Sequence, residues 1–187
     1  MVRHAADAVT TYLPATDMPR FVRELMDFVG FDERDAALVR GSAPVVLARE
    51  AEFTAALYEH FLRFPESARF FLGEDGTPDT ARIERRKHSL GRWLRETAQA
   101  AVTQESSYYL LAIGLSHSHR ATGPGGIVPV HLMVNAMSLA QTALARLFAE
   151  TLGDDARHAL DASVAWNKLL LVHLNVLLLG YLPPTSR

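Results

Sequence analysis

The sequence predicts an all-α fold in a single domain, 1–187, and three observations carry that expectation. Apolar residues recur at three- and four-residue intervals along most of the chain, while runs alternating every second residue are nearly absent. Glycine and proline fall between these runs, at Gly30, Gly41, Pro65, 73–78, 121–126 and Pro183-Pro184, where they would end helices. No internal repeat or linker divides the chain, and its 187 residues suit one domain with a proper core.

The elements follow in order. A first helix is expected within 17–30, with Phe21, Leu25 and Phe28 on one face and Gly30 as its stop. Asp32 is a good N-cap for a second helix over 32–41. A third is expected over 44–64, with Phe53, Leu57, Phe61 and Leu62 inward, cut by Pro65. A short helix over 66–72 leads into a turn. A basic amphipathic helix over 79–99 carries Ile83, His88, Leu90, Trp93 and Leu94, and another is expected over 105–120. The Thr-Gly-Pro-Gly-Gly of 122–126 cannot stay helical. Pro129 suits a first helical position and opens a long helix over 129–149; Asp154 and Asp155 open the last, over 154–179.

Composition narrows the function. Hydrophobic residues make up 49% and charged residues 21%, which is globular rather than disordered. A net charge of −2 gives no electrostatic reason to bind nucleic acid or an anionic membrane. The absence of cysteine excludes disulfides, thiolate catalysis and Cys-ligated zinc or iron–sulfur sites. The N-terminus has no charged-then-apolar signal pattern. The most apolar run, 169–182, is broken by His173, Asn175 and Gly180 and falls short of the ~20 residues of a membrane span. A cytoplasmic protein is expected.

The eight histidines are the main chemical resource. His4, His60 and His158 sit among polar neighbours and should be solvated. His173 lies in an apolar helix and reads as a hydrogen-bonded core or interface histidine. If 117–119 is helical, His117 and His119 point about 200° apart, so no shared metal is expected between them. A single helical histidine flanked by apolar residues has another use, as the axial ligand of haem iron.

Several motifs, in order, resemble one family. The run Leu25-Met-Asp-Phe-Val-Gly-Phe-Asp-Glu-Arg-Asp-Ala-Ala-Leu38 looks like the extra N-terminal helix and first globin helix of protoglobins and globin-coupled sensors. Leu57-Tyr-Glu-His-Phe-Leu-Arg-Phe-Pro-Glu-Ser-Ala-Arg-Phe-Phe71 resembles their tyrosine-bearing helix and proline-led turn. Arg92-Trp93 falls where the distal helix often carries an aromatic, Ile113-Gly114-Leu115-Ser116-His117 matches the family's I-G-x-x-H, and Val128-Pro-Val-His-Leu-Met-Val-Asn135 matches the start of the next long helix.

The resemblance implies a globin fold with an extra N-terminal helix, packed around haem b. It implies His117 as the proximal ligand, with Ile113 and Gly114 one turn earlier, near the porphyrin. The glycine-rich stretch after it is longer than the family's usual corner, and the histidine-to-glycine spacing selects His119 instead, four residues before Gly123; both stay open. On the other face it implies Tyr58, whose phenol can donate a hydrogen bond to O2 and much less to CO. His88 is a second distal candidate, or a surface residue of the Arg85-Arg86-Lys87 cluster. The function implied is binding and sensing of O2, with CO and NO as further ligands, rather than enzymatic turnover. The signal would pass through a homodimer to a downstream domain or protein.

A dimer also follows from the residues. The helix after Pro129 bears two apolar stripes, Met133-Met137-Ala140-Leu144-Leu147 and Leu132-Ala136-Leu139-Ala143, and the last helix is apolar nearly all round. Two other functions compete. Haem-dependent O2 or NO chemistry, as a dioxygenase or peroxidase-like catalyst, would need a reductant route, and no flavin or nicotinamide fingerprint is present. A globin-fold scaffold without haem would not need both Tyr58 and a proximal histidine.

Overall fold

The computed structural model describes residues 12–118 and 126–182. Among them a short 3-10 turn, Pro14–Thr16, precedes eight α-helices: α1 (Met18–Phe28), α2 (Glu33–Ala48), α3 (Glu50–Leu62), α4 (Pro65–Ala68), α5 (Thr80–Thr97), α6 (Gln104–His117), α7 (Val130–Thr151) and α8 (Ala156–Leu179). There is no strand among the described residues, only one isolated bridge from Leu72 to Pro78.

Local chemistry fixes most helix starts. The side chains of Asp17, Asp79 and Asp155 each accept from the backbone N–H three residues on. Asp32 and Asp35 form a reciprocal capping box at α2, and Thr103 and Ser106 form one at α6. At the end of α1, Gly30 takes φ +64° and the Phe31 N–H reaches back to the Met26 carbonyl at 2.9 Å, a closure that needs a left-handed residue.

Three expectations change. The second helix does not stop at Gly41: α2 runs through Pro44 to Ala48, and the break comes at Arg49, so the tyrosine helix begins at Glu50 rather than 44. Continuing α2 buries Ser42, Ala43 and Val46, while the carbonyl that Pro44 leaves unpaired belongs to exposed Arg40, where water can take it. In α1 the buried residues are Met18, Val22 and Met26, spaced by four; Phe28, expected inward, is 91% exposed. The helix expected to reach 120 ends at His117, with Ser118 extended.

The last helix forms the centre of the molecule. α8 packs on α7, α6, α2 and α1, and buries Trp166, Leu169, Leu170, Val172, Val176 and Leu177. Trp166 donates its indole N–H to Ser42 Oγ at 2.9 Å, and Lys168 reaches Asp35 at 2.7 Å and the Gly30 carbonyl at 2.8 Å. The apolar circumference of α8 is therefore mostly consumed inside one subunit. A stripe of Leu160, Val164 and Leu171 remains exposed, as do Val130 and Val134 of α7.

By length and composition both α7 and α8 could cross a membrane; here they lie against each other, and most of α8 is in the core. The tightest crossing is α6 on α8. A Cβ on Gly114 would stand 2.2 Å from the Leu177 carbonyl oxygen, and one on Gly180 would stand 2.6 Å from Gly114 itself.

Candidate functional site

The sequence-predicted residues lie on three helices. α3 carries Tyr58, α5 carries His88, and α6 carries Ile113 and His117. α3 packs on α5, and α5 meets α6 through Arg92, whose guanidinium lies 4.5 Å from the centre of the Tyr109 ring.

His117 closes the last turn of α6. Its Nδ1 lies 2.8 Å from the Ile113 carbonyl, which can only accept, so Nδ1 carries the proton and Nε2 keeps its lone pair. Burial holds the imidazole below the usual histidine range; the Ile113 bond opposes this and the charge of Arg86 adds to it. A neutral imidazole with a free Nε2, oriented by a backbone carbonyl, is the form a metal ligand needs. The end of α6 is held from outside: the Val128 N–H and the Tyr181 hydroxyl both donate to the His117 carbonyl, at 2.8 and 3.2 Å. Ser118, fully buried, donates to the Leu115 carbonyl.

Tyr58 is buried, edge-on to Phe71 and Phe61 at centroid distances of 5.3 and 5.7 Å. Burial pushes its pKa up to about 12, so the phenol keeps its proton, with Arg86 opposing the rise. The hydroxyl has no hydrogen-bond partner among the described residues. That leaves a protonated donor available to a ligand.

The charge of Arg86 opposes the rise at Tyr58 and adds to the fall at His117. Its place was visible only in outline: Ile83, Arg86, Leu90 and Leu94 share a 3-4-4 spacing, so Arg86 lies on the apolar face of α5 rather than with its exposed neighbour Arg85. Tyr181 was missed altogether, since nothing local links it to α6.

The other candidates are placed differently. His88 is exposed, two residues and about 200° around α5 from Arg86. Ile113 contributes its carbonyl to His117, and its side chain is half-buried against the core. Gly114 does not make room beside a porphyrin: it faces α8, whose backbone occupies the space a side chain would need. Trp93 is in the core, 6.2 Å from His173, and its indole nitrogen is buried without a partner. His173 is buried as expected, with Nδ1 3.4 Å from Thr97 Oγ1, and burial lowers its pKa to about 4. Beside it lies a small cavity with room for about one water molecule. His119, His4 and the glycine-rich stretch before Gly126 lie outside the described residues. Among the described residues no group of three His, Asp or Glu could chelate a metal.

The comparisons with known proteins bear on the family and the fold. The sequence pattern of the family described as Protoglobin matches residues 19–187. The globin domain of the Geobacter sulfurreducens globin-coupled sensor superposes with a TM-score of 0.69 at 19% identity, over 83% of this chain and 93% of that one. That likeness shows a globin fold. A search of the curated protein sequences returns no match. With the family pattern spanning almost the whole chain, this all-α protein belongs to the protoglobin family.

Proposed function

We propose that the chain is a haem-binding, gas-sensing globin domain, with His117 as the axial ligand and Tyr58 on the opposite, gas-binding face. The observation that carries this is the hydrogen bond from His117 Nδ1 to the Ile113 carbonyl, which turns an otherwise ordinary helical histidine into a fixed, neutral ligand with Nε2 free. Haem b, when bound, supplies an iron centre with an open position for O2, CO or NO. His117 would anchor that centre, while the Tyr58 phenol, protonated and otherwise unpaired, would donate to a polarised diatomic ligand. His88, exposed on α5, supports a surface role better than a distal one.

In this reading the domain binds and signals rather than turning over substrate. The exposed stripe of Leu160, Val164 and Leu171 on α8, with Val130 and Val134 on α7, supports a two-fold homodimer through these helices. Such a dimer would offer a downstream domain or protein a surface coupled to α6 through the Gly114–Leu177 crossing. An absorption spectrum of the ferrous protein with and without O2 tests the core of this reading. A Soret band that shifts with O2 is expected; a colourless protein that takes up no added haem overturns it.

A further inference from the structure

The last turn of α6 is held by one continuous stretch of the chain, 177–181. Gly114 lies so close to Leu177 that a Cβ there would stand 2.2 Å from the Leu177 carbonyl oxygen, and a Cβ on Gly180 would stand 2.6 Å from the Gly114 carbonyl carbon. The Tyr181 hydroxyl then donates to the His117 carbonyl at 3.2 Å, across 64 residues of sequence. Tyr181 is itself fixed, because turns continue past the end of α8: the N–H groups of Gly180, Tyr181 and Leu182 donate to the carbonyls of Leu177, Leu178 and Leu179.

This bond is not needed to cap the helix. A carbonyl at a helix C-terminus lacks its intrahelical partner, but the Val128 N–H already supplies one to His117, at 2.8 Å. What the Tyr181 hydroxyl adds is a link from the end of α8 to the residue that carries the candidate iron ligand. From there the imidazole has little freedom, since its Nδ1 donates back to the Ile113 carbonyl at 2.8 Å, within the turn whose Gly114 is pressed against α8. Ring, carbonyl and turn are thus tied into one unit seated on 177–181. Tyr108 makes a similar bond, to the Ala15 carbonyl at 3.4 Å, but near the start of α6 and away from His117.

We propose that Tyr181 is a positioning residue for the iron ligand: its hydroxyl, acting through the His117 carbonyl, fixes how the last turn of α6 presents the imidazole to the haem. The inference rests on the haem reading given above and adds to it a second tie on the ligand, this one from α8. An axial histidine held by its surroundings binds iron in one orientation, and loosening the hold should change the bond itself.

The test compares the wild-type holoprotein with Tyr181→Phe, which removes the hydroxyl and keeps the ring, and with Tyr108→Phe as the control. Three quantities are measured: the iron–histidine stretching band of the ferrous protein by resonance Raman, the rate of haem transfer to an apo-globin acceptor, and the denaturation midpoint. Tyr181→Phe should shift or broaden the iron–histidine band and speed haem transfer about three- to tenfold, while Tyr108→Phe leaves both as in wild type. A lower midpoint with an unchanged band would mean that the hydroxyl only stabilises the fold, and the proposal would fall. The same band shift in Tyr108→Phe would overturn it too, because any lost carbonyl bond on α6 would then suffice. So would a band and a transfer rate in Tyr181→Phe that match wild type within about twofold. A wild-type chain with no Soret band is a separate outcome, visible before any variant is compared; it removes the haem reading and this proposal together.

Discussion

At His117 and Tyr58 the same physical term, burial, acts in opposite chemical directions and leaves both groups neutral near pH 7. For the histidine that means a lone pair free to bind a metal; for the tyrosine it means a proton free to be donated. His117→Ala should therefore abolish or severely weaken haem retention, while His119→Ala leaves the Soret band near normal. The reversed pattern would make His119 the ligand. Tyr58→Phe removes a hydrogen bond of about 1.5–3 kcal/mol to a polarised group, so stopped-flow measurements should show O2 leaving roughly ten- to a hundredfold faster while CO release changes little. Unchanged O2 release would reduce Tyr58 to core packing. Both candidates come from the sequence alone, because each sits in a local motif. Arg86 and Tyr181 do not, since their importance comes from residues dozens of positions away.

Among the elements, the helix starts were legible because their signals are local. Asp32, Asp79, Asp155 and Pro129 mark helix entries within a residue or two of where they occur. The boundary between α2 and α3 was not, because Gly41 and Pro44 look like breakers until burial of Ala43 and Val46 against the rest of the core is counted. The role of Gly114 was misread for the same reason: a small residue one turn before a ligand histidine fits a porphyrin or a helix crossing equally well in sequence. The crossing yields a firm expectation. Ala at 114 would gain up to about 1 kcal/mol of helix propensity, but its Cβ would meet the Leu177 backbone, which cannot rotate away. Gly114→Ala should thus lose about 1–3 kcal/mol net by chemical denaturation. Unchanged or increased stability would show that α6 and α8 can separate freely.

The whole molecule should respond to acid through His173. A histidine in an unfolded chain titrates near 6.5, and this buried one near 4. Between those values the unfolded state binds the extra proton, so stability is complete above about pH 6.5 and falls as the pH drops toward 4. The loss by pH 5 should be about 2 kcal/mol, and His173→Gln should flatten the curve between pH 7 and 5. A wild-type curve already flat there would contradict the buried, neutral assignment. For assembly, light scattering is expected to give a dimer at tens of micromolar, and Leu171→Glu or Val164→Glu should yield monomers of native helicity. A monomeric wild-type chain would end that idea. The sequence overestimated the free apolar surface here. Which side of α8 stays outside depends on four other helices, and no periodicity within α8 reveals it.

The central position of α8 also governs the order in which the protein can be made. Trp166 meets Ser42 and Lys168 meets Asp35 across separations of 124 and 133 residues, so α2 gains these two partners only when the last helix exists. During synthesis α1, α2 and α6 leave the ribosome with their apolar faces uncovered, and the core cannot close until residues near 177 have emerged. A chain stopped after α7 would stay in that unfinished condition. The nascent protein therefore has a long interval of exposure to aggregation or proteolysis, and the crossing of Gly114 under Leu177 is among the last contacts that can form.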